Sequence, residues 1–447
     1  MMKLPDSPKT PHWLQKIQYL TNPISYLESN YQRYGDIFNA PIFGYGNQQF
    51  LVGHPLGLQK LFTREGKEIY VCKNEVTGVV VGDNSTLVME GDSHRWQRKL
   101  VMPHLQQKNI IAYGQTICKL TEQVFSQLTP GKTFSAFSVA EELSLEILVN
   151  IVFGIQEKER FQQFKQLVVE FWDLATSPLI ASAILVPLLR KDWGSWSPWG
   201  RFLHLQQQID QLLYTEIRNR CAQSNPDSTD IMTLLLSARD EDGQGMSDQQ
   251  LRDELMGLLT AGTETTATGI AWALYWIHYH PEVREKLLQE LETLDESPEP
   301  MTIFKLPYLT AVCNESLRIY PPVMFTFPRE VKEPVELMDF QLEPGTQVYG
   351  AVYLTHHRED LYPESKKFKP ERFLERKYTP YEFLPFGGGS RRCLGENLAL
   401  FKMKLALATI LDNYQLALVD RQWRKPSVKG IALIPSGGGK MVLKGKR

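Results

Sequence analysis

Cys393 closes a glycine-rich run, FGGGSRRCLG from Phe386 to Gly395, and an apolar stretch follows it directly. A thiolate can both ligate haem iron and push electron density onto it, which favours O–O cleavage. It needs electropositive surroundings to stay ionised. The local sequence offers them. Gly387, Gly388 and Gly389 permit a tight turn and close approach to a bound ring. The spacing predicts a helix from Glu396 to Leu411 whose N-terminal N–H groups and dipole face Cys393. Arg391 offers a forked donor suited to a propionate, and Phe386 would cover the sulfur. The plainer alternative is a turn around a buried free cysteine.

A second group interrupts a long apolar stripe. AGTETT, Ala261 to Thr266, puts a glycine, an acid and three hydroxyls where burial is expected. A Thr hydroxyl that competes for the carbonyl one turn back opens a helix ladder, and such a gap can admit O2 or water beside a cofactor. Otherwise this is a polar seam bonded to neighbouring helices. His94 and Arg98 share a helix face at a spacing of four and together can hold a carboxylate, or are simply solvated. Glu315 and Arg318, three apart, are expected to be paired if buried, and Arg372 follows in a Phe-Lys-Pro-Glu-Arg-Phe run.

These residues need a scaffold. Ser247 and Gln250 form a capping-box start for a helix running to about His278, roughly 45 Å at 1.5 Å per residue. Further helices are expected at Pro23 to Tyr34, Pro281 to Leu294 and Leu306 to Tyr320, with several more between Ile110 and Ile217. Asp36 to Gly53 reads as two strands around a turn at Gly44 to Asn47. Val76 to Met89 reads as an irregular apolar loop. Val323 to Val331 and Thr346 to Tyr353 read as strands, and Ile431 to Ile434 with Met441 to Leu443 as a hairpin. Phe164, Phe171, Trp172, Leu179, Ile184 and Leu185 are expected in the core.

Phe386, Gly389, Arg391, Cys393 and Gly395 stand where the cytochromes P450, the haem-thiolate monooxygenases, carry their ligand-loop signature, and the chain resembles that family from about Tyr26 onward. The resemblance implies a mainly α fold with small β-sheets. It implies one haem domain over 1–447 after a short extended segment of about 22 residues, with haem b between the long central helix and the cysteine loop. In the family, the acid–alcohol pair matched by Glu264 and Thr265 delivers protons to O2, and His94, Arg98 and Arg329 match propionate-binding positions. Arg329 is otherwise an exposed edge charge. Glu315, Arg318 and Arg372 match a buried network that braces the haem loop. The substrate pocket would include Val80, Leu87, Leu258, Ala261, Val323, Met324, Phe325, Ile431 and Ala432. Their apolar character favours a lipophilic substrate, with fatty acids or terpenoids suggested by similarity to soluble bacterial members, cyanobacterial ones included. A haem-thiolate isomerase or peroxygenase, or a non-catalytic haem sensor or carrier, would use the same fold.

Composition sets further bounds. A net charge of -2 gives no electrostatic case for nucleic acid. Five scattered cysteines suit a reducing cytosol rather than a disulfide framework. No stretch resembles a transmembrane anchor or signal peptide, so the chain is expected in the cytoplasm, with Leu179 to Leu189 able to touch a membrane surface or cap a pocket. No flavin or nicotinamide module is recognisable, so electrons are expected from a separate ferredoxin and ferredoxin reductase. Lys99, Arg391, Arg392, Lys402 and Lys404 would form the basic docking face, unless they are merely a solvated surface.

Overall fold

A computed structural model describes residues 5–43, 48–155, 157–185, 187–223 and 229–447. The expected turn at Gly44 to Asn47 lies outside them. The architecture is mainly helical, and its axis is the long helix Asp248–Tyr279. Ser247 and Gln250 make the expected reciprocal cap, and Pro281 starts the next helix, Pro281–Leu291, just beyond the C-cap His280. The long helix packs most extensively on Ala136–Phe153, and also on Pro307–Ile319, on Glu396–Asn413 and on the strand Ala432–Pro435. Leu255, Leu259, Ile270, Trp272 and Ile277 are wholly buried there, in one continuous core with Phe153, Phe171, Leu309 and Phe401.

A separate, smaller core lies beside a five-stranded sheet. Its order is Ile37–Asn39, Gln49–Val52, Gln347–Gly350, Arg329–Val331 and Ile69–Val71, with the second and third strands parallel and the other pairs antiparallel. The first strands fall where the alternation placed them. This sheet sets Arg329 beside Val348 and Val71 and thus fixes the side of the cysteine loop.

Five expectations need correction. The strands expected over Val323 to Val331 and Thr346 to Tyr353 are confined to Arg329–Val331 and Gln347–Gly350, and Val352–His356 is a helix. The N-terminal segment is not extended throughout: His12–Thr21 is a helix, locked onto the helix Pro23–Tyr34 by the buried Gln15, which accepts from the Tyr26 hydroxyl at 2.8 Å. Within Val76 to Met89, residues Glu75–Val81 form a helix, because Asn74 caps its start by accepting from the Thr77 N–H and Gly82, at φ +101°, ends it. The last strands do not pair with each other: Ala432–Pro435 pairs with Pro426–Lys429, while Lys440–Lys446 pairs with Tyr414–Leu418 and Thr133–Ser135. Leu179 is not core; it is 68% exposed.

Candidate active site

Backbone bonds build the cysteine loop. The Cys393 N–H donates to the Phe386 carbonyl at 2.9 Å, Gly387 to Leu384 at 3.0 Å, and Arg392 to Gly389 at 3.2 Å. Two of its glycines have steric reasons. A Cβ at Gly388 would collide with the Phe62 ring, and one at Gly389, where φ is +69°, with the Glu65 carboxylate. Glu65 is the residue that sequence reasoning missed. It accepts from the Ser390 N–H at 2.7 Å and from Arg329 Nε at 2.7 Å, clasping the loop from across 325 residues of chain. No local pattern announces a pairing that distant.

Behind the loop, the helix Glu396–Asn413 starts where it was expected. Protein surrounds Cys393 on most sides, yet the residue keeps open surface. Burial pushes its thiol up to about 11, against the Gly395 N–H and the charges of Arg98 and Arg392, while Glu396 adds to the rise. A bound metal cation would stabilise the thiolate against this rise. The Phe386 ring is half-buried against the main core.

Next to the loop, cations gather. His94 is buried and Arg98 half-buried on the helix Gly91–Val101, and neither has a side-chain hydrogen bond or ion pair among the described residues. Arg391 Nη1 donates to the Thr86 carbonyl at 2.7 Å and Nη2 to that of Met89, but its buried Nε has no partner among the described residues. Burial, then the charges of Arg391, Arg98 and Arg95, push His94 down to about 4, so the imidazole is neutral at pH 7. Burial foremost and then the Arg329 charge push Arg391 down to about 10. Like charges brought together with donors unspent suit an anionic ligand.

On the long helix, Leu251–Gly257 and Thr266–His278 are buried, whereas Ala261 is exposed and Leu258, Glu264 and Thr265 are half-buried. Leu258, Ala261 and Thr265 share one face. Thr265 Oγ1 donates to the Ala261 carbonyl at 2.6 Å, the competition expected from the sequence, and the helix continues through it. Glu264 points elsewhere: a Cβ at Gly430 would lie 3.0 Å from its Oε2. Burial pushes Glu264 up to about 7; Lys429 opposes this and Glu141 reinforces it. Lys429 and Glu141 are themselves an ion pair at 2.8 Å.

Val80, Leu87, Val323 and Phe325 are half-buried and Ile431 is 65% exposed, so these apolar side chains keep accessible surface. Met324 and Ala432 are buried in the main core.

Arg329 is wholly buried on its strand. Its three nitrogens have protein acceptors already: Glu65, the Phe327 carbonyl at 2.5 Å and the Gly388 carbonyl at 2.8 Å. Its contacts brace the cysteine loop. Glu315 and Arg318 are fully buried and bonded at 2.6 and 2.8 Å, and Arg372 Nε reaches Glu315 at 3.2 Å. Arg318 also donates to the His356 carbonyl at 2.7 Å. The basic face is smaller than expected. Lys402, Lys404 and Arg391 are buried, leaving Lys99 and Arg392 exposed, with Arg392 paired to Glu396 at 2.7 Å. Lys404 donates to the Phe304 carbonyl at 2.8 Å and to Thr310 at 2.7 Å, and burial pushes Lys402 down to about 7.

A family model described as Cytochrome P450 matches residues 5–441. The chain belongs to the cytochrome P450 family. A protein named cytochrome P450 135B1 from Mycobacterium bovis is 29% identical over 450 residues, covering 100% of this chain and 92% of the relative. Cytochrome P450 135A1 from Mycobacterium tuberculosis is 28% identical, covering 97% and 94%. The solved structure of retinoic acid bound cyanobacterial CYP120A1 has the same fold, with a TM-score of 0.86 at 24% identity and 99% of each chain covered.

Cytochromes P450 hold a thiolate-ligated haem and use O2, and this P450 is accordingly a haem monooxygenase acting on a small molecule with electrons from a redox partner. Its residues fit the group. An open cysteine lies in a glycine-rich loop, and the orphaned Nε of Arg391 and the unpaired Arg98 stand ready for carboxylates. No helix among the described residues of this P450 is long and apolar enough to cross a membrane.

Proposed function

We propose that the whole chain forms one haem domain in which Cys393 ligates the iron, Phe386 shields the sulfur, and Arg98, Arg391 and His94 hold the propionates. The observation that carries this reading is the unpaired Arg98 and the orphaned Arg391 Nε beside an accessible Cys393. Bound thiolate-ligated haem supplies the chemistry that inserts one oxygen atom of O2 into a C–H bond while the other leaves as water. The chain's own part is to place substrate and move protons. Thr265 presents its hydroxyl on the open face of the long helix, at the turn carrying Ala261. Glu264, titrating near neutrality, takes protons from the half-exposed Lys429 and Glu141 region and passes them inward.

The substrate is a long-chain fatty acid or a terpenoid, held by burial against Val80, Leu87, Leu258, Ala261, Val323, Phe325 and Ile431. Retinoic acid, which the cyanobacterial CYP120A1 binds, combines both features and is a suitable probe. Electrons come from a ferredoxin and its reductase, docking near Lys99 and Arg392. The protein works in the cytoplasm and touches membranes peripherally through Leu179, Leu188, Leu189, Trp193 and Trp196, which are all more than half exposed. Titrating the ferric protein with retinoic acid, fatty acids and terpenes tests the substrate class. A Soret shift as the iron-bound water is displaced supports it, and a shift only with small polar compounds rejects it.

A further inference from the structure

Lys402 lies inside the protein on the helix Glu396–Asn413 and is 1% exposed. Its ammonium donates to Ser144 Oγ at 2.9 Å and to the Gly262 carbonyl at 3.2 Å, with the Ser144 carbonyl at 3.5 Å. The Ser144 hydroxyl donates to the same Gly262 carbonyl at 3.0 Å. No carboxylate pairs with Lys402 among the described residues. Burying an ammonium among neutral oxygens is costly, and an apolar side chain of similar length would stabilise this place better. The position therefore calls for an explanation other than packing.

Its neighbour supplies one. Gly262 and Thr265 both weaken the helix at this turn, the first by lacking a side chain and the second by competing for the Ala261 carbonyl. Adjacent carbonyls are thus treated in opposite ways. Ala261 on the accessible face shares its oxygen with the Thr265 hydroxyl of its own helix. Gly262 is held by side chains from two other helices, Ala136–Phe153 and Glu396–Asn413.

The geometry points to Lys402 as a positioning residue: with Ser144 it clamps the Gly262 carbonyl from behind and ties the turn that carries Ala261 and Thr265 to two neighbouring helices. This rests on reading 261–265 as the oxygen-facing turn. It adds that the turn is held from one side by a residue on the helix Glu396–Asn413 behind it.

Hydrogen–deuterium exchange of the haem-loaded protein, Lys402→Met against wild type, reads the clamp at residues 257–268. Losing a charged donor there should speed exchange by about tenfold or more, and leave the helix 307–319 unchanged. Cyanide affinity of the ferric haem should shift by about threefold or more in the same variant. Ser144→Ala keeps the ammonium and removes one half of the clamp; it should give smaller changes at the same amides, and serves if Lys402→Met does not fold. Unchanged exchange in the variant overturns the proposal. So does faster exchange with unchanged cyanide affinity, which would leave Lys402 a packing residue. A wild type without a thiolate-type spectrum would instead refute the reading of the site itself.

Discussion

Arg391 Nη1 donates to the carbonyl of Thr86 at 2.7 Å, and the N–H and hydroxyl of that Thr86 both bind the carboxylate of Glu254, each at 2.8 Å. Gln97 donates to the same carboxylate at 2.9 Å, from the helix carrying His94 and Arg98. One buried acid on the long helix thereby ties the Thr86 segment, which Arg391 holds, to the helix that carries His94 and Arg98. Burial raises the Glu254 pKa while its three donors oppose the rise. Glu254→Ala strands those donors and should cost about 1–3 kcal/mol of stability together with haem retention. Glu254→Gln keeps the shape and an acceptor and should stay near wild type. Thermal melts and the haem-to-protein absorbance ratio decide it; equal loss in both variants would count against this role.

The Glu315, Arg318 and Arg372 network is buried on all sides, so breaking it leaves an unpaired charge. Glu315→Ala should lower unfolding free energy by about 3–5 kcal/mol in denaturant titrations. A change below about 1 kcal/mol would show that water compensates the lost partner.

Glu264 carries a pH prediction. Its folded pKa, about 7, lies above the ordinary carboxylate value, so folding favours its protonated form. Its ionisation therefore destabilises the fold progressively as pH rises from the unfolded value through 7, and that slope should vanish in Glu264→Gln. In turnover, acid-form delivery gives a rate that declines above pH 7. Glu264→Gln should slow turnover by about a hundredfold and flatten that limb. Retention of the limb in Glu264→Gln would assign it to another group.

Thr265→Ala removes the hydroxyl that binds the Ala261 carbonyl. The expected result is continued O2 consumption with peroxide released and product lowered several-fold or more. Unchanged yield of product per O2 would favour a reaction that does not need the proton pair.

How far the sequence could be read follows from the range of each interaction. The cysteine loop, the long helix with its cap and the Glu315–Arg318 pair depend on spacings of a few residues, and they stand where those spacings place them. Glu65 acts on Ser390 and Arg329 from a distant part of the chain, beyond the reach of any local pattern. Lys402 and Lys404 lie inside the protein, since a charge on a helix does not by itself mean exposure. The signal was present, since Phe401, Met403, Leu405 and Leu407 surround the helix with apolar side chains and leave it no solvated face. The helix Glu75–Val81 was hidden by β-branched residues, whose weak propensity its Asn74 cap and tertiary packing override.

With Lys402 and Lys404 buried, the proposed docking face rests on Lys99 and Arg392. Reduction by a plant-type ferredoxin should slow as ionic strength rises, and Arg392→Glu should slow it further at low salt. A rate indifferent to salt would place electron entry elsewhere.

The central claim is the bond between Cys393 and haem iron, and the ferrous carbon monoxide spectrum of the haem-loaded protein tests it most directly. A thiolate-type Soret band in the wild type that is lost in Cys393→Ala is the predicted result. Absence of that band in the wild type, or its persistence in Cys393→Ala, would contradict the assignment.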